Sequence, residues 1–203
     1  MEKIKKPIVA VFDFDGTLTN KHTFWRFLRL ATGRARFVYV VIRLFPILIK
    51  LAFGKILLMQ ARERLIFYCM KNFPEDKLQQ LGEQFATENI PAWLRTDGMQ
   101  RFQWHQNQGH KTILVSNSAE DYLRPWAKTV GFDHVFGSQF EVRSGLLTGH
   151  LQGTHCQGME KVNRLNSLLG ELTQYRLYVY GDSSGDQEML AIADKPYYRT
   201  FVG

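Results

Sequence analysis

The segment Ile8–Thr17, IVAVFDFDGT, joins a short apolar run to two aspartates and a glycine. The run is rich in β-branched and aromatic residues, which is typical of a strand buried on both faces. Two more apolar runs, Thr112–Val115 and Leu177–Tyr180, also end in small polar residues, and helical patterns cover Ala119–Val130 and Met159–Leu169. The sequence therefore predicts an α/β fold with a doubly wound parallel sheet, a Rossmann-like core.

Three polar motifs follow the three apolar runs: Asp13–Thr17, Ser116–Ser118 and Gly181–Asp186. In doubly wound sheets, ligands bind outside the carboxyl ends of the strands, so we expect the three motifs to form one site. Two carboxylates two residues apart can attack a reacting group and transfer protons to it, although a surface turn also uses an Asp-Gly pair. The convergence of three motifs favours the catalytic interpretation.

A long insertion separates the first motif from the second apolar run. Helical patterns cover Thr23–Ala31, Phe37–Leu58, Met59–Met70 and Glu75–Glu88. We therefore predict a helical cap over residues 19–90, inserted after the first strand of a core that contains residues 1–18 and 91–203. The alternating segment Gln139–Gly153 predicts a β-hairpin.

Composition places the chain among globular proteins. It has 203 residues, 45% of them hydrophobic, which suits one domain with an insertion. The two cysteines, Cys69 and Cys156, are far apart and are expected to be reduced thiols of a cytoplasmic protein. His150 and His155 lie near Cys156, but no second ligand pair completes a zinc site.

The cap segment is both basic and apolar. Between Asn20 and Arg64 there are ten lysines and arginines and one acid, whereas Phe37–Leu58 has only five residues outside the apolar set. A single membrane span there would separate Asp13 from Ser116, so we expect two short helices broken near Pro46 instead.

Two uses of this segment remain open. One is a cap with its own core or a dimer contact, and the other is peripheral contact of residues 37–58 with an anionic membrane, at its inner face. No nucleic-acid partner is expected, because the chain has no recognition motif. The oligomeric state is not predicted.

The order Asp13–Thr17, Ser116, Lys161 and Gly181–Asp186 resembles the four motifs of the haloacid dehalogenase-like phosphohydrolases. The helical insertion is similar to the cap of the phosphoserine-phosphatase branch, subclass IB. Within that branch, the apolar cap and Cys156–Val162 look more like the group of bacterial phosphatidylglycerophosphatase C. The resemblance covers almost the whole chain.

This resemblance implies a phosphomonoester hydrolase that works through an aspartyl-phosphate on Asp13. Asp15 would protonate the leaving group and then activate water, and Lys161 would add a fixed positive charge. Lys111 and Lys128 are alternatives for that charge.

The resemblance also implies the ligands of the substrate phosphate and of a Mg²⁺ ion. Ser116 and the main-chain N–H of Asn117 would bind phosphate oxygens. The ion would be held by Asp13, the main-chain carbonyl of Asp15, Asp182 and, directly or through water, Asp186. A divalent cation is needed because a phosphate dianion beside an aspartate is strongly repelled.

The cap is expected to select the substrate. Phosphoserine phosphatases have a glutamate nine residues after the nucleophile, where this chain has His22, while Arg62 and Arg64 are candidates for binding an anionic group. The open alternatives are a small or amphiphilic phosphomonoester, a lipid phosphate resembling phosphatidylglycerophosphate, phosphoserine and histidinol phosphate. A phosphomutase and a non-enzymatic membrane-docking module are alternatives of other classes.

Overall fold

A computed structural model describes residues 6–54 and 58–202. Seven strands and nine α-helices are assigned in this part of the chain. The strands are β1 (Ile8–Phe12), β2 (Lys111–Ala119), β3 (His134–Ser138), β4 (Phe140–Arg143), β5 (Leu146–Leu151), β6 (Arg176–Gly181) and β7 (Lys195–Tyr198). The helices are α1 (Thr23–Thr32), α2 (Arg34–Arg43), α3 (Phe45–Ala52), α4 (Leu58–Met70), α5 (Glu75–Glu88), α6 (Thr96–Asn107), α7 (Glu120–Val130), α8 (Met159–Leu169) and α9 (Gln187–Ala191).

Five strands form a parallel sheet in the order β3-β2-β1-β6-β7. β1 lies at its centre, and its side chains alternate between two hydrophobic clusters. Val9 and Val11 belong to the cluster on one face, and Ala10 and Phe12 belong to the cluster on the other. The predicted doubly wound parallel sheet is confirmed. Burial of the central strand on both faces explains why its sequence is continuously apolar.

The segment between β1 and β2 folds into helices α1 to α6. The apolar run forms two short helices, as predicted, and the break falls at Leu44, between α2 and α3. Pro46 lies in the first turn of α3, where a missing N–H costs little. Residues 55–57, the end of the apolar run with Lys55, lie outside the described residues. Within the described part, no helix is long and apolar enough to cross a membrane.

Hydrogen bonds join the ends of the insertion. The Arg95 N–H donates to the Leu18 carbonyl at 2.8 Å, and the Asn20 N–H donates to the Trp93 carbonyl at 2.9 Å. These bonds fix the base of the helical segment beside the first motif. The boundaries of a cap at residues 19–90 stay a prediction.

The predicted hairpin forms from β4 and β5, with a turn at Ser144 and Gly145. It pairs with the link between α4 and α5: the Asn72 N–H donates to the Leu147 carbonyl at 2.8 Å, and the Leu147 N–H donates to the Phe73 carbonyl at 2.9 Å. A segment late in the chain thus supports the inserted helices. Cys69 and Cys156 are both buried and free.

Candidate active site

The three polar motifs meet at the carboxyl edge of the sheet, around a cavity of about 220 Å³. Asp13 follows β1, Ser116 lies within β2, and Asp182 follows β6. The Asp13 N–H donates to the Tyr180 carbonyl at 2.9 Å, which continues the pairing of the central strands into the motif. The parallel register therefore brings together residues that are far apart in the chain.

Lys161 is the buried cation of the site. It lies on α8, its side chain is only 2% exposed, and its Nζ is 2.6 Å from Asp13 Oδ1. The same ammonium donates to Asp186 Oδ1 at 2.6 Å and to the Val115 carbonyl at 2.9 Å. Burial alone would lower the pKa of Lys161, but the two carboxylates outweigh it and raise the pKa above its usual value. Lys161 is therefore charged and holds Asp13 in a fixed position.

Asp186 organises the loop after β6. Its Oδ1 accepts a hydrogen bond from Lys161, and its Oδ2 accepts from the Ser183 hydroxyl at 2.7 Å, the Ser183 N–H at 3.0 Å and the Asp182 N–H at 3.2 Å. Burial would raise the pKa of Asp186, yet Lys161 and Ser183 hold it below its usual value. Both oxygens of this buried carboxylate thus have protein partners.

Asp15 faces the start of α1. Its Oδ2 accepts from the Thr23 N–H and the Ser118 hydroxyl, both at 3.0 Å, and its Oδ1 accepts from the Thr23 hydroxyl at 2.7 Å. Since the Thr23 hydrogen is used in this way, the Tyr122 hydroxyl, 2.9 Å away, donates to Thr23. Burial raises the pKa of Asp15 in spite of these donors. A raised pKa suits a carboxyl that gives and takes a proton.

Three carboxylates form a potential cation site. Asp13, Asp182 and Asp186 each offer an oxygen, and these oxygens lie within 4.8 Å of one another. Burial raises the pKa of Asp13 to about 8, although Lys161 acts in the opposite direction. Burial and then Asp186 also raise the pKa of Asp182. Carboxylate oxygens crowded beside one lysine fit a hard divalent cation such as Mg²⁺.

The space for Asp182 depends on Gly16. The glycine has φ +90°, and a Cβ built on it would lie 2.2 Å from Asp182 Oδ2. A glycine is favoured at this position because a side chain would displace the carboxylate and strain the turn.

Ser116 and Asn117 line the same cavity as the aspartates. The buried Ser116 hydroxyl accepts from the Ser118 N–H at 3.2 Å, which leaves its own hydrogen for another acceptor. The Asn117 side chain donates to Gln157 at 3.1 Å, and its carbonyl accepts from Ser138 at 3.0 Å. The pairing of β2 with β3 is irregular between Val115 and Ala119, the stretch that lines the cavity.

The cap contributes His22 and Arg62 to the cavity wall. Arg62 donates from Nη2 to the Asn117 carbonyl at 2.6 Å and stacks 4.0 Å above the Phe24 ring. Its Nε is buried and has no hydrogen-bond partner among the residues that the structure describes. Burial lowers the pKa of Arg62 to about 10, so it remains charged at neutral pH.

The structure does not bring Arg64 into this cavity. It lies two residues beyond Arg62 on α4 and is exposed, because two residues turn a helix by about 200°. Lys111 lies at the amino end of β2, away from the motifs, and Lys128 lines a different cavity. Of the three candidate lysines, Lys161 is the one at the site.

Sequence patterns did not single out several residues of the site. Thr23, Ser118 and Tyr122 bind or support Asp15, while Gln157 bonds Asn117. Ser118 stands two residues after Ser116 in the second motif, and this repeated serine is the feature of the sequence that could have indicated its role. No pattern in the sequence indicates the roles of Thr23 and Tyr122, because these roles depend on how helices α1 and α7 pack.

Comparison with known proteins agrees with this geometry. A model of the haloacid dehalogenase-like hydrolases matches residues 10–191. The parallel sheet with helices on both faces and an aspartate-rich carboxyl edge places the protein in the α/β class. The chain belongs to the haloacid dehalogenase-like hydrolase family.

Three known proteins are similar to this chain over most of its length. Protein CicA of Caulobacter vibrioides is 34% identical over 203 residues, which cover 98% of this chain and 88% of that one. The crystal structure of a protein of unknown function from Bordetella pertussis Tohama I has a TM-score of 0.81 at 24% identity, covering 96% of this chain and 90% of that one. A phosphoserine phosphatase, in a phospho-aspartyl intermediate analogue, has a TM-score of 0.61 at 20% identity, covering 93% and 84%. The two structures show a shared fold.

Proposed function

We propose that the protein is a Mg²⁺-dependent phosphomonoester hydrolase in which Asp13 becomes phosphorylated. The observation that carries the proposal is the Lys161–Asp13 contact of 2.6 Å inside a cavity that Asp15, Ser116 and Asp182 also line. Lys161 binds Oδ1 of the nucleophile, which leaves Oδ2 for attack on phosphorus. The similarity to a phosphoserine phosphatase fold supports the same chemistry.

The reaction has two steps. In the first, Asp13 Oδ2 forms a bond to phosphorus while the bond to the leaving oxygen breaks, and Asp15 gives that oxygen a proton. In the second, Asp15 takes a proton from water, whose oxygen attacks phosphorus and releases inorganic phosphate from Asp13. The donors from Thr23 and Ser118 hold Asp15 in place for both proton transfers.

Phosphate oxygens would be bound by the Ser116 hydroxyl and the Asn117 N–H. A Mg²⁺ ion would be held by Asp13, Asp182 and the Asp15 carbonyl. When bound, it would neutralise charge between the nucleophile and the phosphate. Because both Asp186 oxygens already have protein partners, we assign Asp186 to positioning Lys161 and the Asp182 loop rather than to direct metal binding.

The cap wall favours a substrate without an ammonium group. It presents His22, Phe24, Trp25 and Arg62, and therefore offers two aromatic rings and a cation where an amine would need a carboxylate. The cavity is smaller than the roughly 300–1,000 Å³ of sites for drug-sized ligands, so it fits a phosphate and a small adjoining group. We propose a substrate with a neutral or anionic group beside the phosphate, and with any larger part outside the cavity.

The test is hydrolysis of p-nitrophenyl phosphate. The purified protein should release phosphate steadily with Mg²⁺ and stop with EDTA. Asp13→Asn should abolish the activity, whereas Asp76→Asn, which changes an exposed acid on α5, should not. Full activity of Asp13→Asn would refute the assignment of Asp13 as the nucleophile. If the enzyme moves phosphate between positions of the substrate faster than it releases phosphate to water, a mutase is favoured instead.

Asp15 and Asp182 should fail in different ways. Asp15→Asn removes the proton donor, so turnover should fall by about 10²–10⁴-fold and any phosphoenzyme should persist in intact-mass spectra. Asp182→Asn should instead raise the Mg²⁺ concentration needed for half-maximal rate. Identical Mg²⁺ dependence and phosphoenzyme levels in the two variants would contradict the assigned roles.

A further inference from the structure

Helices α2 and α3 expose an unusual amount of apolar side chain. We call the following six residues the cap patch: Val38, Tyr39, Ile42, Phe45, Ile49 and Phe53, which are 41–75% exposed. On the opposite side, Val40 of α2 and Leu44, which lies between α2 and α3, are buried at 2% and 3% exposure. This segment is thus apolar on its solvent side as well as its core side. Several large exposed apolar side chains on two successive helices are typical of a surface that contacts another body.

Two grooves lie beside each other where α1 meets α2. One, of about 430 Å³, is lined by Phe37, Val38, Val41 and Ile42 together with Arg29 and Arg34. The other, of about 370 Å³, is lined by the same two arginines with Arg26 and Trp93 among its other residues. An apolar groove and a groove rich in arginine therefore share Arg29 and Arg34 as lining residues. This is the arrangement that an anionic headgroup attached to an acyl chain would fit.

The charge of this region is uncompensated. No aspartate or glutamate occurs between Asp15 and Glu63 in the sequence. The exposed arginines of helices α1 and α2 form no ion pair within residues 6–54 and 58–202; they are Arg26, Arg29, Arg34, Arg36 and Arg43. A negatively charged partner would be attracted by all five of these arginines.

We propose that the cap patch and the two grooves form a docking surface for an anionic lipid bilayer. The patch would enter the boundary between headgroups and acyl chains, and Arg29 and Arg34 would bind lipid phosphates. A second copy of the chain is a poorer occupant, because a two-fold contact would bring the same arginines together.

The docking surface is separate from the catalytic cavity. None of the residues that line the two grooves lines the cavity around Asp13. α1 connects the two places: its first residue, Thr23, binds Asp15, and its last turn carries Arg29, about 9 Å further along the helix axis. Membrane binding can therefore be tested apart from catalysis.

The experiment is sedimentation of the full chain with vesicles of phosphatidylcholine, alone or mixed with phosphatidylglycerol. Binding is expected with the mixed vesicles and should weaken as salt screens the arginines. The double variant R29Q/R34Q should lose about 25-fold in affinity, at about fivefold for each basic residue near an anionic leaflet. The double variant I42S/F45S should lose at least about tenfold through lost apolar burial.

Matched controls separate docking from general surface effects. R143Q changes an arginine whose side chain is 76% exposed on the hairpin, and V202S changes a valine that is 85% exposed. Both should bind the vesicles like the parent. All variants should keep the parent's circular dichroism and p-nitrophenyl phosphate hydrolysis, because none changes the catalytic cavity.

Several results would overturn the proposal. The parent could fail to bind mixed vesicles, or both double variants could bind as well as the parent. Displacement from vesicles by inorganic phosphate would mean that the arginines bind a free anion. A dimer in analytical ultracentrifugation that I42S/F45S dissociates, without vesicle binding by the parent, would assign the patch to a second copy.

Discussion

Replacing Lys161 with methionine tests the electrostatic centre of the site. Methionine has nearly the same length, so packing on α8 should be kept while the charge is removed. The ammonium now makes three short contacts, to Asp13 and Asp186 at 2.6 Å each and to the Val115 carbonyl at 2.9 Å. The variant therefore leaves two buried carboxylates facing each other without their cation.

The size of the effect follows from that burial. The Asp13 and Asp186 side chains are 8% and 0% exposed, so water cannot replace the lost partner. Removing one member of a buried ion pair costs about 3–5 kcal/mol, and we expect Lys161→Met to lower the free energy of unfolding by this amount at about pH 9 in EDTA, where Asp13, with its pKa raised to about 8, is ionised. The loss should be smaller near pH 5, where an unpaired carboxylate can take up a proton.

Urea unfolding is the assay, with Lys128→Met as the matched control. Lys128 is an exposed lysine on α7, so its replacement should change stability by less than about 0.5 kcal/mol. Adding Asp186→Asn to Lys161→Met should cost less than the sum of the single changes, because it removes one of the repelling charges. A loss below about 1 kcal/mol for Lys161→Met, or strict additivity of the pair, would refute the reasoning.

Three further predictions concern the same site. In EDTA, the free energy of unfolding should fall as pH rises from about 4 to about 8. The reason is that burial raises the pKa of Asp13 from 3.8 to about 8 in the folded protein, which therefore binds one more proton than the unfolded chain in this range. Mg²⁺ should flatten this pH dependence in urea titrations, and an unchanged pH dependence would contradict a cation at Asp13. Gly16→Ala should raise the Mg²⁺ concentration for half-maximal hydrolysis, since the new Cβ would displace Asp182; a normal Mg²⁺ titration would speak against that placement. Arg62→Gln removes the cation of the cap wall, so it should raise the KM of phosphomonoesters that have a second anionic group more than the KM of p-nitrophenyl phosphate. Equal increases in the two KM values would mean that Arg62 only holds Asn117 in place.

Much of the fold follows from short-range patterns in the sequence. The apolar runs before Asp13, Ser116 and Asp182 had to be strands covered on both faces, and the carboxyl ends of parallel strands meet at one edge. The prediction that the three motifs share a site needed no further information. The boundaries of α5 and α8 also agree with the helical patterns, because Pro74 and Gly158 precede those helices.

Other features depend on the path of the chain through space. Asp15 binds Ser118, which is 103 residues away, and Lys161 joins Asp13, 148 residues earlier, to Asp186. No local pattern contains such distances, so the choice among three lysines and the role of Asp186 required the tertiary structure. The pairing of the hairpin with the link after α4 is of the same kind.

The sequence by itself determined that the cap would be helical, basic and apolar, because periodicity, charge and hydropathy are properties of neighbouring residues. It could not say which apolar residues of 37–45 face the core, since apolar residues occur on both sides of this segment. Packing against α1 and α4 buries Val40 and Leu44 and leaves Ile42 and Phe45 exposed. Only the tertiary structure, through that packing, decided that the cap has an apolar surface beside its arginines.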